Sequence, residues 1–268
     1  MRRIGPAFLY VTAALLGVVI ATAGALPASV AAAFAVEASN GQLSLANVAG
    51  TALYGRADAT IRGLAPGQPP LTVRNIEWTI DKWHLLWGDV VCVLKSKGPE
   101  LNGAAEVTRG FGHVTARNVQ FELPASLLTA NVPEASGWAT PGVVAVKSER
   151  LTITPGGING AVELNWRGAQ APDLGNIGEY RAVLKGSGAG PVSVDLKTMQ
   201  GQLRLDGRGE FTFSKGLRMG VTIDIQGPSR DRLLPFLALI GSQQPDGTVA
   251  IEINSQSPGR PAAGMKQS

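Results

Sequence analysis

A single cysteine, Cys92, and only two histidines, His84 and His113, occur in this chain of 268 residues. One cysteine rules out an intrachain disulfide and a thiolate metal cluster. Within Val90–Leu94 it reads most simply as a small buried apolar residue, with an intermolecular disulfide as the lesser alternative. The two imidazoles lie far apart, and no H-x-x-x-H or C-x-x-C spacing is present, so no zinc site is expected. There is no Gly-x-Ser-x-Gly elbow either. A hydrolase would need His84 or His113 beside a nucleophile in a cleft, and an exposed or core-edge histidine is the expected place for each. The sequence implies no catalytic residue, no cofactor and no metal.

Charge is also scarce, at 16% of residues, and aromatics make up 6%. The net charge of +4 and the pI near 9.4 invite a nucleic-acid reading. Arg2 and Arg3, however, precede the first apolar run, and Arg260 and Lys266 lie in the tail. The stretch from Glu37 to Ile253 holds 20 residues of each sign. No basic stripe interleaved with aromatics occurs, which excludes nucleic acid as the expected partner. Pro245-Asp-Gly-Thr248 lacks the acidic ladder of a calcium loop and reads as a hairpin turn. A phosphate cradle needs a helix N-terminus behind its glycines. Alternating strands flank both Gly186–Gly190 and Asp206–Gly209, so turn or bulge is the reading for each.

Glycine (34) and proline (17) are plentiful, as in a protein of many short strands joined by turns. From Ile4 to Val36 there is no charge. The core of that run, Ala7–Leu26, matches the roughly 20 residues that span a bilayer. Arginines on its N-terminal side predict a cytoplasmic N-terminus, with all that follows exported. Ala23-Gly-Ala25 also fits a signal-peptide cleavage site, but the apolar run outlasts the ordinary h-region of about 7–15 residues. An uncleaved anchor over 1–26 is the favoured reading.

Beyond it, apolar residues recur with period two. Leu71–Trp78, Ala161–Trp166, Val192–Leu196, Gln202–Asp206, Val221–Ile225 and Val249–Ile253 each read as a strand with one buried face. Connections too short for crossover helices make the sheet an antiparallel meander. A short apolar helix is expected over 231–241, interrupted by Pro235. It reads as a cover for the open end of the sheet, or else as a surface for a partner or membrane. The chain also repeats itself. Leu26–Ser39 aligns without gaps on Leu123–Ser136, with eight identities at an offset of 97. The expected organisation is therefore an anchor (1–26), a first β half (27–122), a second β half (123–253) and a disordered tail (254–268). The fold class is mainly β, a transmembrane helix followed by a curved antiparallel sheet of two related halves with a few short helices.

Leu26-Pro-Ala-Ser after the anchor, then Gly50-Thr-Ala-Leu-Tyr-Gly-Arg-Ala57 and Ile76-Glu-Trp-Thr-Ile80, set out an order of motifs. Leu123-Pro-Ala-Ser-Leu-Leu128, Leu174–Arg181, Gly201–Gly209, Leu233–Gly241 and Asp246-Gly-Thr248 continue it. In order and spacing these resemble the type II secretion system protein N family over most of the chain. Tyr54 departs from the tryptophan usual in the family's Gly-Thr-Leu-Trp-x-Gly pattern, and a Pro/Gln-rich insertion surrounds Gln68–Pro70. The resemblance implies a single-pass bacterial inner-membrane protein with a periplasmic β domain, accessory to the export of folded proteins. Its partners would be the other inner-membrane components of that machine and the lipid bilayer itself. A more distant likeness, to the anchored β-sheet proteins of the AsmA type, rests on architecture alone. It supplies the alternative function, a lipid-binding or lipid-transfer module with a lipid ligand.

Three of the five tryptophans fall within Ile76–Gly88. Trp78 ends an alternating strand and is expected in the core, with Trp166 as its counterpart in the second half and Leu203 and Leu205 as further core positions. Trp83 and Trp87 follow Asp81-Lys82 in a stretch with no counterpart, where the chain must turn. Their spacing suits one helical turn or a loop, and both are candidates for contact with a partner or the membrane interface.

Overall fold

The computed structural model describes residues 26–62, 70–110, 112–129, 141–171, 175–212, 215–226, 230 and 241–255. The expected anchor up to residue 25, residues 231–240 of the expected helix, and the tail from 256 lie outside the described residues. Among those described, no helix is long and apolar enough to cross a membrane.

Fourteen strands form one antiparallel sheet: β1 (Leu43–Gly50), β2 (Tyr54–Ile61), β3 (Leu71–Ile80), β4 (Val90–Lys97), β5 (Asn102–Gly110), β6 (His113–Pro124), β7 (Val143–Thr154), β8 (Gly157–Ala171), β9 (Gly175–Ser187), β10 (Val192–Gln200), β11 (Leu203–Thr212), β12 (Gly216–Ile225), β13 (Ser242–Gln243) and β14 (Val249–Ser255). Their order in space is their order in the chain, except that β14 inserts between β12 and β13. The sheet does not close on itself. Short turns make neighbours of consecutive strands, as in the two-residue Pro155-Gly156 link between β7 and β8. Among the described residues two α-helices accompany the strands, α1 (Ala28–Ala38) and α2 (Ala125–Thr129), with a 3-10 turn at His84–Trp87. Residues 122 and 123 are consecutive in β6, which pairs with β5 on one side and β7 on the other. The sheet thus runs unbroken from the first half into the second.

Period-two alternation sorts side chains onto two unlike faces. One row runs Phe121, Val146, Leu164, Ala182, Leu196, Gly207, Val221, Ile251 across eight strands in register. The opposite face carries the charges, with Arg181 paired to Glu163 and Arg167 to Glu122, each at 2.6 Å. The two buried clusters lie on the apolar face. One cluster joins Val221, Ile223, Ile225 and Val249, and a second joins Ala169, Ile177 and Tyr180. Leu203 and Leu205 are half-buried and touch both clusters. A side chain as deeply buried as Val249, at 0% exposure, is worth about 1.5–3 kcal/mol.

Among the described residues, four non-glycine residues have positive φ, and all are asparagines: Asn40, Asn47, Asn75 and Asn118. Asparagine tolerates the left-handed region better than most side chains. The last three sit where pairing slips by one residue, between β1 and β2, β2 and β3, and β5 and β6. These are β-bulges, which bend a strand and increase its twist. Because of the bulge at Asn75, apolar parity in β3 changes from Val73 to Ile76 and Trp78.

The glycines of Asp206–Gly209 correct an expectation. The segment is neither a turn nor a bulge but lies inside β11, in unbroken register with β12. The reason is steric: a Cβ at Gly209 would sit 2.3 Å from the Arg218 carbonyl oxygen and 2.6 Å from Met219 Cβ. Gly186–Gly190, by contrast, finishes β9 and turns into β10. Pro245–Thr248 is a turn in which the Asp246 carboxylate accepts from the Thr248 amide at 3.0 Å and its hydroxyl at 2.7 Å.

A candidate contact site at the aromatic turn

The chain leaves β3 at Ile80 and must reverse to enter β4 at Val90. Asp81 organises the reversal. Its Oδ1 accepts from the Trp83 amide at 2.9 Å and its Oδ2 lies 2.9 Å from His84 Nδ1. This is an Asx turn, with the aspartate side chain standing in for a backbone acceptor. The Trp83 amide first, and then the His84 ring, hold the Asp81 carboxyl below the usual aspartate range. The His84–Trp87 3-10 turn follows and ends at Gly88, which adopts the left-handed conformation at φ 83°. The Gly88 amide donates to Leu85 and the Asp89 amide to His84.

This scaffold displays two tryptophans. Trp83 is 62% exposed and Trp87 85% exposed. Lys82 Nζ stands 5.3 Å from the centroid of the Trp83 ring, a cation–π contact worth about 0.5–1 kcal/mol at an exposed site. Large apolar rings held in water by a hydrogen-bonded turn gain free energy when something covers them. His84 spends one nitrogen on Asp81, which leaves it a hinge of the turn. His113, in turn, opens β6. Cys92 lies on β4, and burial pushes its thiol up, away from the reactive thiolate. Among the described residues no group of three His, Cys, Asp or Glu could hold a metal ion.

Trp78 is placed differently. It is half-buried on β3, where its indole N–H donates to the Ala52 carbonyl at 3.1 Å. Its ring fills the space in front of Gly55, where a Cβ would lie 2.2 Å from the ring. Trp166 on β8 repeats this arrangement, donating to the Pro141 carbonyl at 3.4 Å and tilting against Tyr180 with centroids 5.6 Å apart. Each carbonyl lies in the connection that leads into the neighbouring strand. Each connection is tied to a Leu-Pro-Ala-Ser segment, by Ala52 N–H to the Leu26 carbonyl in the first half and Ala125 N–H to the Gly142 carbonyl in the second. Both segments then start a helix, with Ala28 and Ala125 buried at its head.

One element was missed by sequence reasoning. Asp58 on β2 receives Asn47 Nδ2 at 2.7 Å from the bulge in β1, and the Asn75 amide at 2.8 Å from the bulge in β3. Its carboxyl is held below the ordinary range by Asn47 first and Asn75 second. The available signal was an asparagine interrupting apolar alternation in two strands on either side of an aspartate.

No curated protein and no solved structure matches the chain. A family model does match, over residues 41–252, which takes in every strand but the last residues of β14. The open fourteen-stranded meander and the motifs strung along it are thus those of a secretion-machine component, and the chain belongs to the type II secretion system protein N family.

Proposed function

We propose that this chain is a non-catalytic accessory subunit of the type II secretion apparatus, assisting export of folded proteins across the bacterial outer membrane. The family match over 41–252 carries the reading. Residues 7–26 hold the protein in the inner membrane, with the arginines at the N-terminus on the cytoplasmic side. The sheet then lies in the periplasm and works by position, presenting surfaces to the other inner-membrane components of the machine. Trp83 and Trp87 are its contact residues, toward a partner or the bilayer interface. Trp78, Trp166, Leu203 and Leu205 are structural, and the paired tryptophan-to-carbonyl bonds support two related halves. The outer edge of β14 offers a second mode. Among the described residues β13 covers only Val249 and Ala250, and the remaining main-chain groups can accept a partner's strand. Deleting the gene and measuring release of the secreted proteins tests the role. Loss of release, restored by the intact gene, is expected, while unchanged release of every substrate would remove it.

The continuous apolar row across the sheet favours a second reading, a lipid-binding or lipid-transfer module. An acyl chain lying on that face would co-purify with the exported domain. Mass spectrometry of detergent-free protein that finds no lipid would set this reading aside.

A further inference from the structure

The charged face of the sheet is concave where β6 to β10 cross, forming an open trough of about 860 Å³. Five cations line it, Lys147, Arg150, Arg181, Lys185 and Lys197, against three carboxylates. Glu163 is already taken by Arg181 at 2.6 Å and by Asn165 at 2.7 Å. Asp195 leans out toward Arg208, 4.0 Å away. Among the described residues, Lys147, Arg150, Lys185 and Lys197 have no ion-pair partner. Lys197 stands directly opposite Arg181 in the β9–β10 register, and like charges facing each other across strands are destabilising. Val183, half-buried, lies two residues along β9 from Arg181 and pairs with Asp195, and Met199 is 61% exposed at the rim.

We propose that this trough binds an acidic, extended segment of a partner protein, its carboxylates on Lys185, Lys197 and Arg150 and an apolar side chain against Val183 and Met199. Charge complementarity selects the occupant. Five strands span roughly 19 Å at the usual strand spacing, the reach of about six extended residues. A concave surface fits a single chain better than the plane of a bilayer. Among the described residues that line it, the trough holds no aromatic side chain on which nucleobases could stack. The site is separate from the aromatic turn and does not depend on the secretion role.

Fluorescence anisotropy of the full chain in nanodiscs, titrated against a labelled peptide of repeated Glu-Ser-Val-Ser spacing, whose glutamates and valines share one face when extended, tests it. We expect saturable binding that weakens by about tenfold or more in the Lys185→Glu, Lys197→Glu double variant and with rising salt. The pair Lys95→Glu, Lys97→Glu, exposed on β4 outside the trough, should bind as the parent does. A lysine–valine peptide should not bind. Circular dichroism shows whether each variant keeps its sheet, and Met199→Glu supplies a second probe that leaves every cation in place. Equal binding by the trough variant and the parent would overturn the proposal, as would equal losses in both double variants. Binding to phosphatidylglycerol vesicles, with none to the acidic peptide, would overturn it in favour of a lipid surface.

Discussion

Asp58 joins two bulges through one carboxylate, accepting from Asn47 on one side and Asn75 on the other. Both bonds favour the ionised form, which holds its carboxyl below the ordinary aspartate range in the folded chain. The unfolded chain binds the proton more tightly, so this stabilisation is present above the unfolded value. It fades as pH falls through the lower, folded value. Asp58→Ala should therefore lower the urea midpoint at pH 7 and shrink the difference between pH 7 and pH 3. Urea titrations at the two pH values check this. Tyr180 shows the opposite sign. Burial pushes its phenol up to about 12 from 10.0, and its hydroxyl is shared between the Ile177 and Leu203 carbonyls at 3.2 Å each. Its contribution is complete below pH 10 and declines as pH rises toward 12. Tyr180→Phe should cost about 1 kcal/mol at pH 7 and flatten the alkaline limb of stability, as read by denaturant titration across pH 8 to 12.

At the scale of elements, the turn from Asp81 to Asp89 and the strand β11 illustrate two kinds of constraint. The turn is built from local hydrogen bonds and leaves its tryptophans outside. Replacing Trp83 and Trp87 with alanine should therefore move thermal stability by no more than about 1 kcal/mol, the worth of the exposed Lys82 contact. The same variant should lose secretion activity, and pairing a melting curve with an export assay separates the two effects. In β11 the constraint is steric, because the Arg218 carbonyl occupies the space a side chain at 209 would need. Gly209→Val should destabilise by about 1–3 kcal/mol, as overpacking does, measured by the denaturant midpoint. Only the turn was legible in sequence, because Asp81-Lys82 breaks the alternation between two apolar runs. Gly207 and Gly209 looked like punctuation, since composition cannot separate a glycine that turns a chain from one that admits a neighbouring backbone.

For the whole molecule, alternation and short connections placed β3, β8, β10, β11, β12 and β14 in an antiparallel meander, while β2, β4, β5, β6 and β9 were not read from period two. The continuity of the sheet across residue 122 was not legible, because periodicity shows which face is apolar but not which strand lies beside which. The bulges escaped for a similar reason: a single asparagine at positive φ changes the parity of a strand without changing its composition. The trough was hidden as well, since Lys147, Arg150, Lys185 and Lys197 are spread over three strands in sequence and meet only through the register of β7 to β10. The central claim is that this sheet works as part of the secretion machine by touching its other components. The most direct measurement places a photo-crosslinking amino acid at position 87 in cells carrying the complete machine. The account predicts a covalent adduct with another secretion component, lost when that component is deleted. Efficient crosslinking at position 87 to proteins outside the machine alone, unchanged when the machine is deleted, would contradict it.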